Sequence, residues 1–475
     1  MWITVQVPEA QAPGWYSGTL ELAAHNREFT VRVQVLVTGA TVPDSRDFTS
    51  VIGMMNSART LAEHYRVEPW SKEHLTLVEK TLALMGQVGN DVLHVPVIYS
   101  DFQPPSYWGS KRPGKGSAEP SRWALPMVLW TRTADGLKPD LSVLRRVLDL
   151  YARHCGPPKA LVLDIWDLGC VDEVAGKGDE GSAIAAARPM LVGVRDPRTG
   201  AISQVEAPSL SKEQSGDFWR PVFDAVHDLV KERGWSERTI MLGLGGDARP
   251  GKRTGELLRK WAPYARWDLL SHFIGDPPPE QGKLFTASGI EVGIKEWPSM
   301  GGMFTALQIE ERLKDAKDYL ELPTARWQYQ EYSPPFLFRT LPILWGHFGR
   351  LGLDFWTSRE GGPTSRTFFS HADALAAPGP DGAVPTVRFQ MFREGVQDYE
   401  LRAAIVRAIE GLSEEQRRPY LDLLDEAAAR VRWGSACLSQ HELAYDWPSY
   451  AVRVQEAAAE LAGVKTDAVW QKPPR

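Results

Sequence analysis

The feature that most constrains this chain is an alternation running from about residue 48 to 360, in which short apolar runs of strand length are separated by segments whose apolar residues recur every three or four positions. Strands and amphipathic helices in turn are what a parallel sheet covered by helices requires. In one unit Ser71 can cap a helix, Leu75, Val78, Leu82 and Met85 step along one face, Gly89-Asn90 stops it, and the run Val92 to Tyr99 follows. A second has Asp140 as cap, Leu144, Val147 and Tyr151 on one face, a Gly156-Pro157-Pro158 stop and the run Ala160 to Ile165. A third has Trp219, Val222, Val226 and Leu229, a Gly234 stop and the run Thr239 to Leu244. Further runs are Val51 to Met55, Pro126 to Thr131, Asp268 to Phe273, Ile290 to Trp297, Arg326 to Glu331 and Leu353 to Thr357. These patterns predict a (β/α)8 TIM-type barrel over residues 48–370, with one of the nine candidate strands outside the ring.

The flanks read differently. Residues 1–47 alternate as strands, with Ile3, Val5 and Val7, then Phe29, Val31, Val33, Val35 and Val37 after a His25-Asn26 turn; about three strands look like the end of a β-sandwich. Residues 371–475 form a helical subdomain, in which Phe392, Val396, Tyr399, Ala403 and Val406 make a stripe and Ser413 with Gln416 a capping box, before a last helix over about 447 to 462. Two long interruptions, 100 to 123 and 167 to 215, follow strands and so belong on the face where such barrels carry their chemistry; the second holds a hairpin about Asp196 to Gly200.

Composition narrows the function. Lys plus Arg number 54 against 60 Asp plus Glu, a formal charge of −6, which argues against nucleic acid and anionic membrane as partners. The three cysteines, Cys155, Cys170 and Cys437, include no Cys-x-x-Cys pair, and the ten histidines show no ligand spacing, so no metal site is expected. Gly246 to Thr254 nearly matches a phosphate-binding loop, but Arg253 stands where the Mg²⁺-binding hydroxyl belongs. The opening Met1-Trp2-Ile3-Thr4-Val5 has neither the basic nor the apolar region of a signal peptide.

The polar residues at strand ends carry the chemistry. Asp164 and Asp167 close the run Ala160 to Ile165, the loop beyond adds Asp172-Glu173, and Glu296 and Glu331 end later strands. Carboxylates at the C-terminal ends of barrel strands suit glycoside hydrolysis, and they suit turn-capping or salt bridges to Arg339 or Arg359 as well. Aromatics recur beside them: Tyr99, Trp130, Trp166, Trp297, Tyr332 and Trp356, among 18 tryptophans in all. Such rings either pack the apolar face of a sugar or close the barrel's core.

Several stretches resemble glycoside hydrolase family 123 and relatives carrying domain of unknown function 4091: Ala12 to Leu20, Arg326 to Glu331, Phe338-Arg339 through Gly352 to Trp356, and Pro385 to Arg388 with Arg393-Glu394-Gly395-Val396-Gln397-Asp398-Tyr399-Glu400. The resemblance implies a β-sandwich, a (β/α)8 barrel and a helical tail, and an exo-acting N-acetylhexosaminidase on glycans, exported from the cell and needing no cofactor. In that chemistry the sugar's 2-acetamido group is the nucleophile, a Glu protonates the leaving oxygen and an adjacent Asp orients the acetamido. This chain keeps Asp164 but has Ile165 in the acid's place, leaving Asp167 or Glu173 as acid. Two other readings stand beside it: a glycosidase using two protein carboxylates such as Asp167 and Glu331, and a diverged barrel that only binds carbohydrate. The charges of the Arg393 to Glu400 run are expected to cap and bridge its helix to the barrel, outside the site.

Overall fold

The computed structural model describes residues 3–99, 125–166, 190–244, 252–267, 283–285, 291–293, 299–301, 325–327, 339, 347–354, 356, 374–431 and 437–464. The chain divides into two units, Met1–Ser50, Pro334–Gly346 and Met391–Arg475 in one, Val51–Ser333 and His347–Gln390 in the other.

The first unit opens with an antiparallel hairpin, β1 (Gly14–Ala24) and β2 (Arg27–Val37). At its tip His25 and Asn26 take φ of 47° and 61°, the left-handed pair that a two-residue turn of matching twist needs. Register puts Tyr16, Leu20 and Leu22 on one face with Phe29, Val31 and Val33, and Glu21, Thr30 and Arg32 on the other. The expected strand through Ile3, Val5 and Val7 is absent: these residues have no ladder partner among the described residues.

In the second unit β3 (Val51–Met55) leads into α1 (Ala58–Tyr65) and α2 (Lys72–Gly86), then β4 (Val92–Pro96). The hairpin β5 (Leu129–Thr133) and β6 (Gly136–Asp140) precedes α3 (Ser142–Cys155) and β7 (Ala160–Trp166); the hairpin β8 (Leu191–Arg195) and β9 (Ile202–Glu206) precedes α4 (Gly216–Glu232) and β10 (Ile240–Leu244). There follow α5 (Lys252–Trp261), β11 (Arg266–Trp267), β12 (Lys283–Phe285), β13 (Glu291–Gly293), β14 (Ser299–Gly301), β15 (Ala325–Trp327), β16 (His347–Gly352), β17 (Ala376–Gly379) and β18 (Gly382–Pro385).

Two parallel rows organise this unit, β11-β10-β7-β4 and β14-β15-β16-β3, and a parallel bridge between Ile52 and Asn90 joins them. Taken across both rows the strands follow chain order, and the last, β16, lies against the first, β3. Among the described residues no pairing joins β11 to β14, so what they show is an α/β fold of parallel and mixed sheets, without the closed (β/α)8 ring expected from sequence. The extra strand candidate is β5, which pairs with β6 and β8 in a separate mixed sheet whose β8 and β9 come from the second interruption. Two expected strands are displaced. Within Ile290 to Trp297 only Glu291–Gly293 is a described strand, antiparallel to β12, and the parallel strand is Ser299–Gly301. Instead of Leu353 to Thr357, the last parallel strand is His347–Gly352; its glycines, His347 and Arg350 hid it, while Leu353 and Trp356 are buried as loop residues.

Along each parallel strand side chains alternate between faces. Val51, Val92, Ala160, Val162 and Met241 meet in one apolar cluster, which defines the inner face of β3, β4, β7 and β10. Leu93, Leu161, Leu163 and Leu242 have the opposite parity and are equally buried.

The first unit is completed by α6 (Val387–Ile409) from Met391 onward, α7 (Glu414–Val431) and α8 (Cys437–Leu461). Leu401, Ile405, Ile409, Leu424, Trp447, Tyr450 and Val454 form their core. The stripe on α6 therefore runs from Phe392 and Val396 to Leu401, Ile405 and Ile409 by steps of four and five; Val406, expected on it, is 44% exposed. The Ser413/Gln416 capping box is formed, each backbone N–H donating to the other side chain. The Arg393 to Glu400 run is structural within this unit. Glu400, fully buried, accepts from the Thr49 and Ser50 N–H groups and the Thr49 hydroxyl, and Asp398 and Glu394 hold Arg339 at 2.9 and 2.7 Å. Among the described residues no helix is long and apolar enough to cross a membrane.

Candidate active site

Strand parity places the site. Ala160 and Val162 of β7 belong to the inner apolar cluster, so Asp164, two residues on toward the C-terminal end, shares that face; on β4, His94 follows Val92 in the same way. Backbone register pairs Pro96 with Asp164 and Val162 with His94, which makes His94 and Asp164 diagonal neighbours on adjacent strands. His94 Nδ1 lies 3.6 Å from Asp164 Oδ1, with the side chains 5% and 2% exposed. That separation is an electrostatic contact, longer than a hydrogen bond. Among the described residues neither carboxylate oxygen of Asp164 has a hydrogen-bond partner. Buried carboxylates are normally satisfied, because an unbonded one forfeits its hydration without return.

The strand is also irregular at this point. Gly243 of β10 pairs with Asp164 but Leu244 pairs with Trp166, so Ile165 is an extra residue, a bulge. Bulges re-aim the residues around them and are frequent beside active sites. Sequence reasoning found Asp164 and missed His94. Its signal was present: a single polar residue in the apolar run Val92-Leu93-His94-Val95, in step with Asp164 two strands' worth of pattern later.

The other expected site residues divide into three groups. Asp167, Glu173, Glu331, Trp297 and Tyr332 lie outside the described residues, as does the side chain of Trp166, whose backbone ends β7. Tyr99 is partly exposed just beyond β4, its N–H donating to the Leu191 carbonyl. Trp130 and Trp356 are packed in the interior. Trp130, fully buried on β5, stacks on Phe218 at 5.0 Å and meets Trp219 edge-on. Trp356 donates its Nε1–H to the Ala376 carbonyl and contacts His64 and Tyr65 edge-on. In these settings both rings pack against neighbouring side chains in the interior.

Another buried carboxylate, Asp354, stands just past β16. Burial pushes its pKa up to about 7, although the Ser57 N–H at 2.6 Å and the Thr81 hydroxyl at 3.0 Å donate to it. Those partners belong to the start of α1 and the interior of α2, so Asp354 anchors helices and does not join the His94–Asp164 pair. Among the described residues no cluster of His, Cys, Asp and Glu could hold a metal ion. Of the near-match to a phosphate loop, residues 246–251 lie outside the described residues and the rest begins α5.

No curated protein matches the chain by sequence. Its fold resembles that of a family 123 glycoside hydrolase from Clostridium perfringens, a structure described for glycolipid glycan hydrolysis, with a TM-score of 0.62 over 97% of this chain and 78% of that one. At 10% identity the likeness is one of fold. Residues 56–264, the segment that contains both His94 and Asp164, match the family model described as the glycoside hydrolase 123 catalytic domain.

Proposed function

We propose that the protein is a glycoside hydrolase that releases a terminal 2-acetamido-2-deoxyhexose from a glycan, with the sugar's own acetamido group as nucleophile. The observation that carries this reading is Asp164, a carboxylate 2% exposed with neither oxygen hydrogen-bonded, on the inner face of a parallel strand inside the segment that matches the catalytic-domain model. In the proposed reaction the acetamido carbonyl oxygen attacks C1 as the bond to the leaving oxygen breaks, and an oxazolinium forms. Asp164 accepts the acetamido N–H and offsets the developing positive charge, a general acid protonates the leaving oxygen, and water then opens the oxazolinium with net retention. Asp167 and Glu173 are the proposed acids; Glu331 is the proposed opposing carboxylate, and Tyr99, Trp166, Trp297 and Tyr332 are the proposed sugar-facing rings. The pairing of β16 with β3 supports reading the eight parallel strands as a (β/α)8 ring whose interior holds the site.

One observation favours a second reading, a diverged barrel that binds carbohydrate without cleaving it. Ile165, at the position where the resemblance puts the acid, is apolar and 0% exposed. Hydrolysis of paired aryl glycosides separates the readings. The proposed enzyme releases the chromophore from an aryl 2-acetamido-2-deoxyhexoside and leaves the matching 2-hydroxy glycoside intact. Cleavage of only the 2-hydroxy sugar would establish the two-carboxylate mechanism instead, and oligosaccharide binding with no turnover would establish the binding protein.

A further inference from the structure

Both His94 and Asp164 interrupt apolar strands, both are almost wholly buried, and the carboxylate has no hydrogen bond that would give it a purely structural task. A carboxylate in such a place can serve a ligand only if at least one oxygen is left open by its neighbours. An arginine beside it would occupy both oxygens through its fork of donors. An imidazole presents one edge, here Nδ1 toward Oδ1, and leaves Oδ2 unclaimed.

We propose that His94 is a positioning residue for Asp164: it holds the carboxylate turned so that Oδ2 remains available to the amide N–H of a 2-acylamino sugar. This rests on the hydrolase reading above and deepens it. It assigns selection of the acylamino substituent to a pair of side chains from β4 and β7, at the strand irregularity formed by Ile165. Because His94 acts through Asp164, its contribution falls on oxazolinium formation and not on protonation of the leaving oxygen.

The test compares His94→Asn, which keeps a donor near the Nδ1 position, with His94→Leu, which removes it. With an aryl 2-acetamido-2-deoxyhexoside, His94→Leu is expected to lose at least a hundredfold in kcat, by the same factor for activated and poor leaving groups, with KM changed less than threefold. His94→Asn is expected to recover to within about tenfold of the original enzyme. Equal impairment of the two variants, or an unimpaired His94→Leu, would overturn the proposal. A second measurement does not need turnover: the imidazole ¹⁵N resonances of His94, assigned by their loss in His94→Asn, should move when Asp164→Asn is introduced. Unmoved resonances would overturn the pairing even in an active hydrolase. Moved resonances in a protein that cleaves no glycoside would overturn the hydrolase reading, and with it the sugar assigned to the pair.

Discussion

Asp164 occupies a position where a leucine would pack at lower free-energy cost, flanked by Leu163 and Ile165 and two residues beyond Val162, all of them 0% exposed. An unbonded polar group so buried costs roughly 1–3 kcal/mol, and more when charged. Local chemistry that opposes folding is characteristic of sites kept for function. Asp164→Asn preserves the shape and removes the charge. The variant is expected to be as stable as the original or more stable by about 1 kcal/mol, while kcat/KM on the acetamido substrate falls about 10²–10³-fold, or roughly 3–4 kcal/mol of transition-state stabilisation. Thermal unfolding and steady-state kinetics on the same preparation check both halves, and a marked loss of stability would show that the carboxylate serves the fold. His94 illustrates why single-residue reading fell short: one histidine in an apolar strand has no motif of its own, and only strand register brings it beside Asp164.

Helix termini show where sequence signals were sufficient and where they were not. Ser71 caps α2 through the His74 N–H, as its position before an apolar stripe predicts. Asp140 was expected as the cap of α3; it accepts from the Ser142 N–H but belongs to β6, with Leu141 at the cap position. The consequences of burial at α1 and α2 were not legible at all. His74 accepts from the Trp70 N–H at Nδ1 and donates from Nε2 to the Ala58 carbonyl, and burial lowers its pKa from an ordinary 6.5 to about 4. The stability it contributes is complete above pH 6.5 and is lost as the pH falls through 4. Asp354, raised by burial from 3.8 to about 7, acts in the opposite sense: its contribution is complete below 3.8 and is lost as the pH rises through 7. Between pH 4 and 6.5 the two slopes oppose each other. Asp354→Asn keeps an acceptor for the Ser57 N–H and abolishes one slope, so the variant's melting temperature should rise more steeply with pH over that window than the original's. Parallel slopes in a buffer series would contradict the assignment. On α6 a glycine is held by a neighbour and not by a turn: a Cβ on Gly395 would overlap the Arg339 carbonyl oxygen. Alanine there gains about 1 kcal/mol of helix propensity yet is expected to destabilise the protein by at least 2 kcal/mol net, measured by urea unfolding, because backbone must move.

For the whole molecule, the alternating pattern was enough to predict an α/β domain because β3, β4, β7 and β10 are five- to seven-residue strands, each preceded or followed by an amphipathic helix. The second half was harder to read because β11, β14 and β15 are only two or three residues long, too short for periodicity to register, and β16 is rich in glycine. Closure of the sheet runs through those short strands, and it bears on function. In a ring Asp164 and His94 are reached only from the C-terminal mouth, whereas in an open sheet the inner face is accessible between β11 and β14. Successive amides of a strand point to opposite neighbours. Of Arg266 and Trp267, one N–H points toward β10 and the other away, and the same alternation holds across Ser299, Met300 and Gly301 relative to β15. If the proposed ring closes, both amides of β11 and all three of β14 should exchange with solvent at comparably slow rates, since every one of them is internal. An open sheet instead leaves an alternating pattern, slow toward β10 and β15 and fast on the free edges. Residue-resolved hydrogen exchange at these five amides distinguishes the two, and the alternating result would require a glycan to reach Asp164 through the side of the sheet.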